Sequence, residues 1–254
     1  MTANHPHFSF ESHEKSLENK VILVTGAGDG IGKEAAIKYA KCGARVILLG
    51  KTTEKLEHVY DNILELGGKQ PSIVPLDLSG ATLSHYEGLA DTIASEYGRL
   101  DGILFNASIL GNLCPFGQIK ESEFDEVIQV NVKSQFLIVK AMLPILKMSP
   151  AASVVFTSSS VGSKGRAFWS TYSVSKFATE GMMQTLADEY KNSHIRFNSI
   201  NPGATRTNMR AKAFPAEDPS ELKTPSQIMP TYVYLMDDVS RGINGQLLHC
   251  QAGN

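Results

Sequence analysis

The sequence predicts a single doubly wound α/β domain, one parallel sheet of seven strands covered by helices on both faces. Three observations point there. Strand-length apolar runs alternate with helical periods from residue 20 almost to the end. A glycine-rich turn joins the first run directly to a helix, and no linker divides the 254 residues. Strands that alternate with helices are joined by right-handed crossovers, which makes them parallel and buries both faces of the sheet.

Residues 20–25 (KVILVT) read as the first strand, and the glycines behind them open a helix over 31–42 that Gly43 stops. A second strand over 45–49 leads into a helix over 53–66, ended by Gly67-Gly68. The third strand covers 73–76, its helix 82–97, and the fourth strand 102–105. After a loop with Gly111, Pro115 and Gly117, a long helical stretch covers 121–147, where Pro144 lacks an N–H and is expected to kink or split the last turn. A fifth strand (153–157), a helix (171–191), a sixth strand (195–200) and a last strand (246–250) complete the pattern. Residues 204–230, with Pro215, Pro219, Pro225 and Pro230, are long for a connection and are expected to form a lid over a pocket. The first 17 residues read as a flexible tail before a domain over 18–254.

Composition narrows the function classes. With 42% hydrophobic and 20% charged residues the chain can bury a core, which excludes wholesale disorder and coiled coil. Lys plus Arg at 24 against Asp plus Glu at 26 gives a net charge of -2, so no basic field draws in nucleic acid or an anionic membrane. A small-molecule partner is expected. Cys42, Cys114 and Cys250 are odd in number and form no CxxC pair, which argues against a disulfide framework or zinc ribbon and for a reducing compartment. No run approaches the ~18 apolar residues of a membrane helix and the opening is polar, so a cytoplasmic protein is expected. His5 and His7 have no carboxylate or Cys nearby to complete a site, and no metal is expected.

The turn after the first strand reads Thr25-Gly26-Ala27-Gly28-Asp29-Gly30-Ile31-Gly32. Such glycines let the backbone approach a pyrophosphate, while the helix N-terminus offers free N–H groups and a positive dipole end. GxGxxG fails in both frames, at Ile31 and at Lys33, and Ala27 and Glu34 break a P-loop; the frame is TGxxxGxG. In dinucleotide sites an acid some 20 residues on takes the ribose 2′-hydroxyl of NAD, whereas a basic residue suits the 2′-phosphate of NADP. Here the second strand ends Leu48-Leu49-Gly50-Lys51, with no carboxylate at the turn, so NADP(H) is favoured over NAD(H), with Lys51 as a point charge and Lys33 adding to it.

Tyr172 and Lys176 stand four apart in YSVSK, on one helical face about one turn from each other. An ammonium there favours tyrosinate, lowering a phenol from ~10 towards the range of acid/base work. Ser158, Ser159 and Ser160 follow the fifth strand at the carboxyl edge, where open sheets place ligands.

At this point the chain resembles the short-chain dehydrogenase/reductase family over residues 18–252, and is similar to bacterial short-chain oxidoreductases of unassigned substrate. The motifs occur in family order: TGAGDGIG at 25–32, Asp77-Leu78, Asn106-Ala107, Asn131 in VNVKS, SSSVG at 158–162, YSVSK at 172–176 and NPGATRT at 201–207. The resemblance implies a Rossmann fold and a tetrad in which Ser159 holds the substrate oxygen and Tyr172 is the general acid or base. Lys176 would lower the Tyr172 pKa and bind the nicotinamide ribose, and Asn131 would hold a water linking that lysine to solvent. It also implies adenine contacts at Asp77 and Leu78, and the adenosine ribose beside Asn106 and Ala107. Carboxamide contacts would fall at Pro202, Gly203 and Thr207. Homodimers or homotetramers would form through the helices at 121–147 and 171–191.

Departures are the family's NNAG, here Phe105-Asn106-Ala107-Ser108, and the ending LHCQAGN. The activity implied is hydride transfer between NADP(H) and a carbonyl or secondary alcohol; aldehydes, ketones, sugars and acyl thioesters stay unranked. The alternative is a dinucleotide-sensing regulatory protein with little turnover. A serine hydrolase is weaker, since no GxSxG elbow is present.

Overall fold

The computed structural model describes residues 9–251. Among them seven strands, β1 (Val21–Thr25), β2 (Arg45–Gly50), β3 (Ser72–Pro75), β4 (Gly102–Phe105), β5 (Ala152–Thr157), β6 (Ile195–Asn201) and β7 (Leu247–His249), pair in parallel in the order 3-2-1-4-5-6-7. The order reverses between β1 and β4, which opens a crevice at their carboxyl ends. The helices are α1 (Gly30–Lys41), α2 (Thr53–Glu65), α3 (Leu83–Tyr97), α4 (Glu121–Ile128), α5 (Ser134–Leu146), α6 (Ser170–Glu189), α7 (Asn208–Ala213) and α8 (Met229–Met236).

Continuous apolar strands need cover on both sides, and they have it. Ile22, Val24, Val46 and Leu48 pack under Ile37 of α1, Leu56 of α2 and Tyr232 of α8. Leu23, Ile47, Leu49 and Ile103 pack on the other face against Tyr86 of α3, Met142 of α5 and Met183 of α6. Each such buried aliphatic side chain contributes about 1.5–3 kcal/mol, so the sheet is the stable frame on which the loops are hung.

Three features differ from the sequence expectation. The 121–147 stretch is interrupted by a π turn over Gln129–Lys133, while Pro144 lies inside α5, which continues to Leu146. The break falls at Asn131, whose side chain bonds to a neighbouring loop and to α6, and the proline, two residues from the helix end, removes only one bond in the last turn. Helix α8 has no counterpart in the sequence reading, which took Pro230 as the end of a loop. Pro230 instead occupies the first turn, where its missing N–H costs nothing, and Tyr39 Oη of α1 donates to the Tyr232 carbonyl at 3.3 Å.

The described part of the expected tail is attached to the domain. Leu17 is fully buried and its N–H donates to the Cys42 carbonyl at 2.8 Å, while the Phe10 ring meets Tyr234 edge-on at 5.5 Å. His5 and His7 lie outside the described residues. Among the described residues no helix is long and apolar enough to cross a membrane.

Candidate active site

The carboxyl ends of β1, β4, β5 and β6 bring the predicted residues to one edge of the sheet. The glycine turn is folded hard against the segment after β4. Gly26 has φ +67°, and a Cβ on it would stand 2.9 Å from Ala107 Cα; a Cβ on Gly32 would stand 2.2 Å from the Gly26 carbonyl oxygen. Any side chain at Gly32 would push α1 off the turn. The first-turn N–H groups of Ile31 and Gly32 have no intrahelical acceptor, which leaves a place for an anion.

Asp29 caps α1 by accepting from Gly30 N at 2.7 Å, and its other oxygen accepts from Lys55 Nζ at 2.6 Å and Asn208 Nδ2 at 3.2 Å. The Lys55 hydrogen bond holds its carboxyl below the usual range against the opposing effect of burial. Its side chain thus ties the turn to α2 and α7.

Thr25, expected as a ligand contact, is 2% exposed and acts as a rivet. Its Oγ1 accepts from Asn106 N at 3.0 Å and Ala107 N at 3.1 Å and donates to the Leu104 carbonyl at 3.3 Å, fastening β1 to the end of β4. Thr25→Val keeps the shape and strands both N–H groups, each worth about 1–3 kcal/mol when buried without a partner. We expect denaturant unfolding to show a loss of about 2 kcal/mol or more in Thr25→Val and little in Thr25→Ser. Equal losses in both would contradict the rivet.

Asp77 accepts from Ser79 N at 3.0 Å and Ser79 Oγ at 2.9 Å, and the main-chain bond is the larger cause of its lowered pKa. The Leu78 side chain is buried in the core, so only its main chain can face a ligand. Lys51 is exposed just beyond β2 and forms no ion pair among the described residues.

Tyr172 and Lys176 are both buried on α6. Lys176 Nζ donates to the Thr157 carbonyl at the end of β5 at 2.8 Å and lies 5.4 Å from the Tyr172 ring centroid. Burial pushes the Lys176 pKa down to about 8, with the Glu180 charge acting the other way. Burial also pushes the Tyr172 phenol above its ordinary value, while the Ser159 and Ser108 hydroxyls pull it back. The sequence expectation was a phenol lowered by Lys176; in the structure desolvation prevails.

Ser159 has extended backbone and caps the short turn Ser160–Gly162. Of the three adjacent serines it is the one whose hydroxyl acts on the phenol. Ser108, recorded in the sequence only as a departure from glycine, stands beside the same phenol, and its buried Oγ closes no hydrogen bond of full geometry among the described residues. Nothing short of the fold shows that a residue after β4 and one on α6 meet.

Asn131 is fully buried in the π turn. Its Oδ1 accepts from Ile109 N at 2.8 Å, and its Nδ2 donates to the Ile109 carbonyl at 2.9 Å and Ser175 Oγ at 3.0 Å. The side chain is spent on holding the loop after β4 against α6. Beyond β6, Gly203 N donates to Asn201 Oδ1 at 3.1 Å, and Thr207 caps α7 by accepting from Arg210 N at 3.1 Å. The Thr207 methyl lies 3.5 Å from where a Gly30 Cβ would be, so the Pro202–Thr207 stretch crosses over the glycine turn. On the other side, the Trp169 ring lies 5.8 Å from that of Tyr172 and 5.7 Å from that of Phe214.

An anion cradle at the switch point, one sheet edge away from a buried Tyr-Lys pair flanked by hydroxyls, defines a nucleotide-binding α/β oxidoreductase. The chain belongs to the short chain dehydrogenase family, whose sequence profile matches residues 20–218. It is 52% identical over 244 residues to the uncharacterized oxidoreductase YciK of Escherichia coli, covering 96% of each chain. Its structure resembles a short chain dehydrogenase from Pseudomonas syringae with TM-score 0.94 at 53% identity, over 95% of this chain and 98% of that one. It also resembles a short chain dehydrogenase from Escherichia coli CFT073 complexed with NADPH, with TM-score 0.92 at 53% identity over 94% and 99% of the two chains.

Proposed function

We propose that the protein is an NADP(H)-dependent oxidoreductase that interconverts a carbonyl compound and a secondary alcohol, using Ser159, Tyr172, Lys176 and Asn131. The observation that carries this reading is the burial of Tyr172 and Lys176 side by side, with Lys176 tied to the end of β5 just before Ser159. A regulatory dinucleotide sensor would have no use for that arrangement.

The residues at the glycine turn fit a dinucleotide: side-chain-free Gly26 and Gly32 hold the turn tight against Ala107 and α1, and the first-turn N–H groups of Ile31 and Gly32 have no intrahelical acceptor and suit an anion. Gly28 and Gly30 complete the cradle, Asp29 props it, and Lys51 takes the 2′-phosphate, in line with the NADPH held by the Escherichia coli CFT073 relative. Asp77 and the Leu78 main chain border the adenine, Asn106 and Ala107 the adenosine ribose, and Pro202, Gly203 and Thr207 the carboxamide.

When bound, the nicotinamide supplies or accepts the hydride. In reduction, Ser159 donates a hydrogen bond to the carbonyl oxygen, which fixes the substrate and stabilises charge developing there. Tyr172 delivers its proton to that same oxygen; in oxidation it takes the proton back. Lys176, held by the Thr157 carbonyl, places a cation beside the phenolate and binds the ribose. Asn131, with its side chain occupied, acts on Lys176 through its main chain and a water. Exposed Phe136 on α5 and Val174 and Phe177 on α6 suit a homodimer or homotetramer built on these helices.

The test is oxidation of NADPH and NADH across a panel of carbonyl compounds, with binding followed through the sole tryptophan, Trp169. Turnover with NADPH is expected, and Lys51→Ala should weaken NADPH binding about tenfold with little change for NADH, the effect of one charge-assisted contact. Tight NADPH binding with no turnover on any carbonyl would overturn the enzymatic reading.

A further inference from the structure

We propose that Arg166 makes this oxidoreductase select carbonyl compounds that carry an anionic oxyacid group, a carboxylate or a phosphate monoester, and that the guanidinium binds that group. The inference rests on the hydride-transfer reading and names the substrate class that reading leaves open.

Arg166 lies in the loop between the Ser160–Gly162 turn and α6. Its guanidinium carbon stands 5.9 Å from the Trp169 ring centroid and 5.6 Å from that of Phe214. Trp169 in turn packs on Tyr172 at 5.8 Å, so the cation is one ring removed from the phenol. The two aromatic faces steady the planar fork, and because they attract it through their π clouds they leave its N–H donors uncommitted. No hydrogen bond or ion pair from Arg166 to a described residue is formed, and the side chain is exposed.

Its neighbours are spent differently. Arg210 packs on Phe214 at 3.8 Å and forks onto Glu217 with bonds of 2.6 and 2.5 Å. Arg206 donates to the carbonyls of Ser220 and Leu222 at 3.3 and 3.4 Å. Both arginines fasten the 204–230 segment, whereas Arg166 is presented.

The charged side chains of the two segments nearest Arg166 are all positive, while Glu217 just beyond them is committed to Arg210. Residues 160–170 carry Lys164 and Arg166, residues 204–214 carry Arg206, Arg210 and Lys212, and neither segment contains an Asp or Glu, in a chain whose net charge is -2. The loop is also held at a conformational cost. Phe168 and Ser170 have φ of +71° and +20°, in the region L-residues avoid, and Ser170 Oγ is tied to the Cys114 carbonyl at 3.2 Å. Backbone strain of this kind persists where surrounding structure fixes a side chain for use. A fork held between two rings suits the oxygens of a carboxylate or phosphate, while the rings accept the carbon chain between that anion and the reacting carbonyl.

The test compares matched anionic and neutral aldehydes with NADPH: 4-formylbenzoate against its methyl ester, and 4-formylphenyl phosphate against 4-methoxybenzaldehyde. The alcohol products are also titrated against the complex with NADP+ by Trp169 fluorescence, which reads the anion site whether or not turnover occurs. We expect at least one anionic member to bind and react about tenfold or more better than its neutral partner, the effect of a charge-assisted hydrogen bond. Arg166→Gln should bring that ratio to within about twofold, and Arg166→Lys should retain part of it. Equal binding of anionic and neutral members by the wild-type protein, or a preference that survives Arg166→Gln, would overturn the proposal. So would Arg166→Gln weakening both members of a pair alike, which is the signature of a latch between loop and lid. Anion-selective binding that vanishes in Arg166→Gln but without turnover on any carbonyl would support the anion site and sink the hydride-transfer reading instead.

Discussion

Tyr172→Phe is expected to lower NADPH-dependent carbonyl reduction by about 10²–10⁴-fold, the usual weight of a positioned general acid, while NADPH still quenches Trp169. The change removes one oxygen and no packing volume, so the contacts of the ring with Trp169 at 5.8 Å and with the Lys176 ammonium at 5.4 Å survive. Only the proton donor is lost. Because burial pushes the phenol above its ordinary pKa, Tyr172 is protonated at neutral pH and ready for reduction, the direction in which an acid is needed. The same shift makes the two directions respond differently to pH. Reduction should stay level from neutral into mildly alkaline solution, where the phenol keeps its proton, and alcohol oxidation should rise with pH as phenolate accumulates. Steady-state rates in both directions between pH 6 and 8, where Lys176 keeps its charge, check this. Substantial turnover in Tyr172→Phe, or oxidation that falls with pH, would remove Tyr172 from the proton transfer.

What the sequence makes legible is what is local. KVILVT and SVVFT read as strands because both faces of a parallel sheet are apolar, and the glycine turn reads as an anion site because strand, turn and helix N-terminus are contiguous. Tyr172 and Lys176 share a helical face by spacing alone. The rest depends on partners far apart along the chain. That Thr25 also accepts from Asn106 and Ala107, and that Asp29 also accepts from Lys55 and Asn208, is visible only in the fold. The π turn at Asn131 answers to Ile109 and Ser175, and no helical period announces it. Ser108 shows the limit most sharply: a serine in place of glycine is a local oddity in the sequence and a hydroxyl beside the phenol in the fold. Helix α8 was hidden by Pro230, which ends a loop or begins a helix with equal ease until the Tyr232–Tyr39 contact decides.

Lys176→Met is expected to abolish most turnover and yet to leave the protein alone at least as stable at pH 7. Lys176 is 1% exposed, and burial pushes its pKa from 10.5 down to about 8. Below about pH 8 both folded and unfolded chains hold the proton, and the folded state bears the full cost of a buried charge, about 3 kcal/mol for a displacement of this size. Between about pH 8 and 10.5 the unfolded chain binds the proton that the folded one has released, so the stability contributed at this residue rises with pH across that window. Methionine removes the charge but leaves the Thr157 carbonyl without its donor, which costs about 1–3 kcal/mol and offsets much of the gain. The sharper test is therefore the difference between the two proteins as pH changes. Denaturant unfolding at pH 7 and pH 10 should show the wild type gaining about 2–3 kcal/mol relative to Lys176→Met, and parallel profiles would mean that Lys176 keeps its ordinary pKa and its charge in the fold throughout. A cation from which the fold gains so little is retained because phenolate beside it has no other counter-charge: the nearest carboxylate on the same helical face, Glu180, is itself buried and has the opposite sign. Stability and turnover are thus set against each other at one side chain, which is where enzymes of marginal stability place such conflicts.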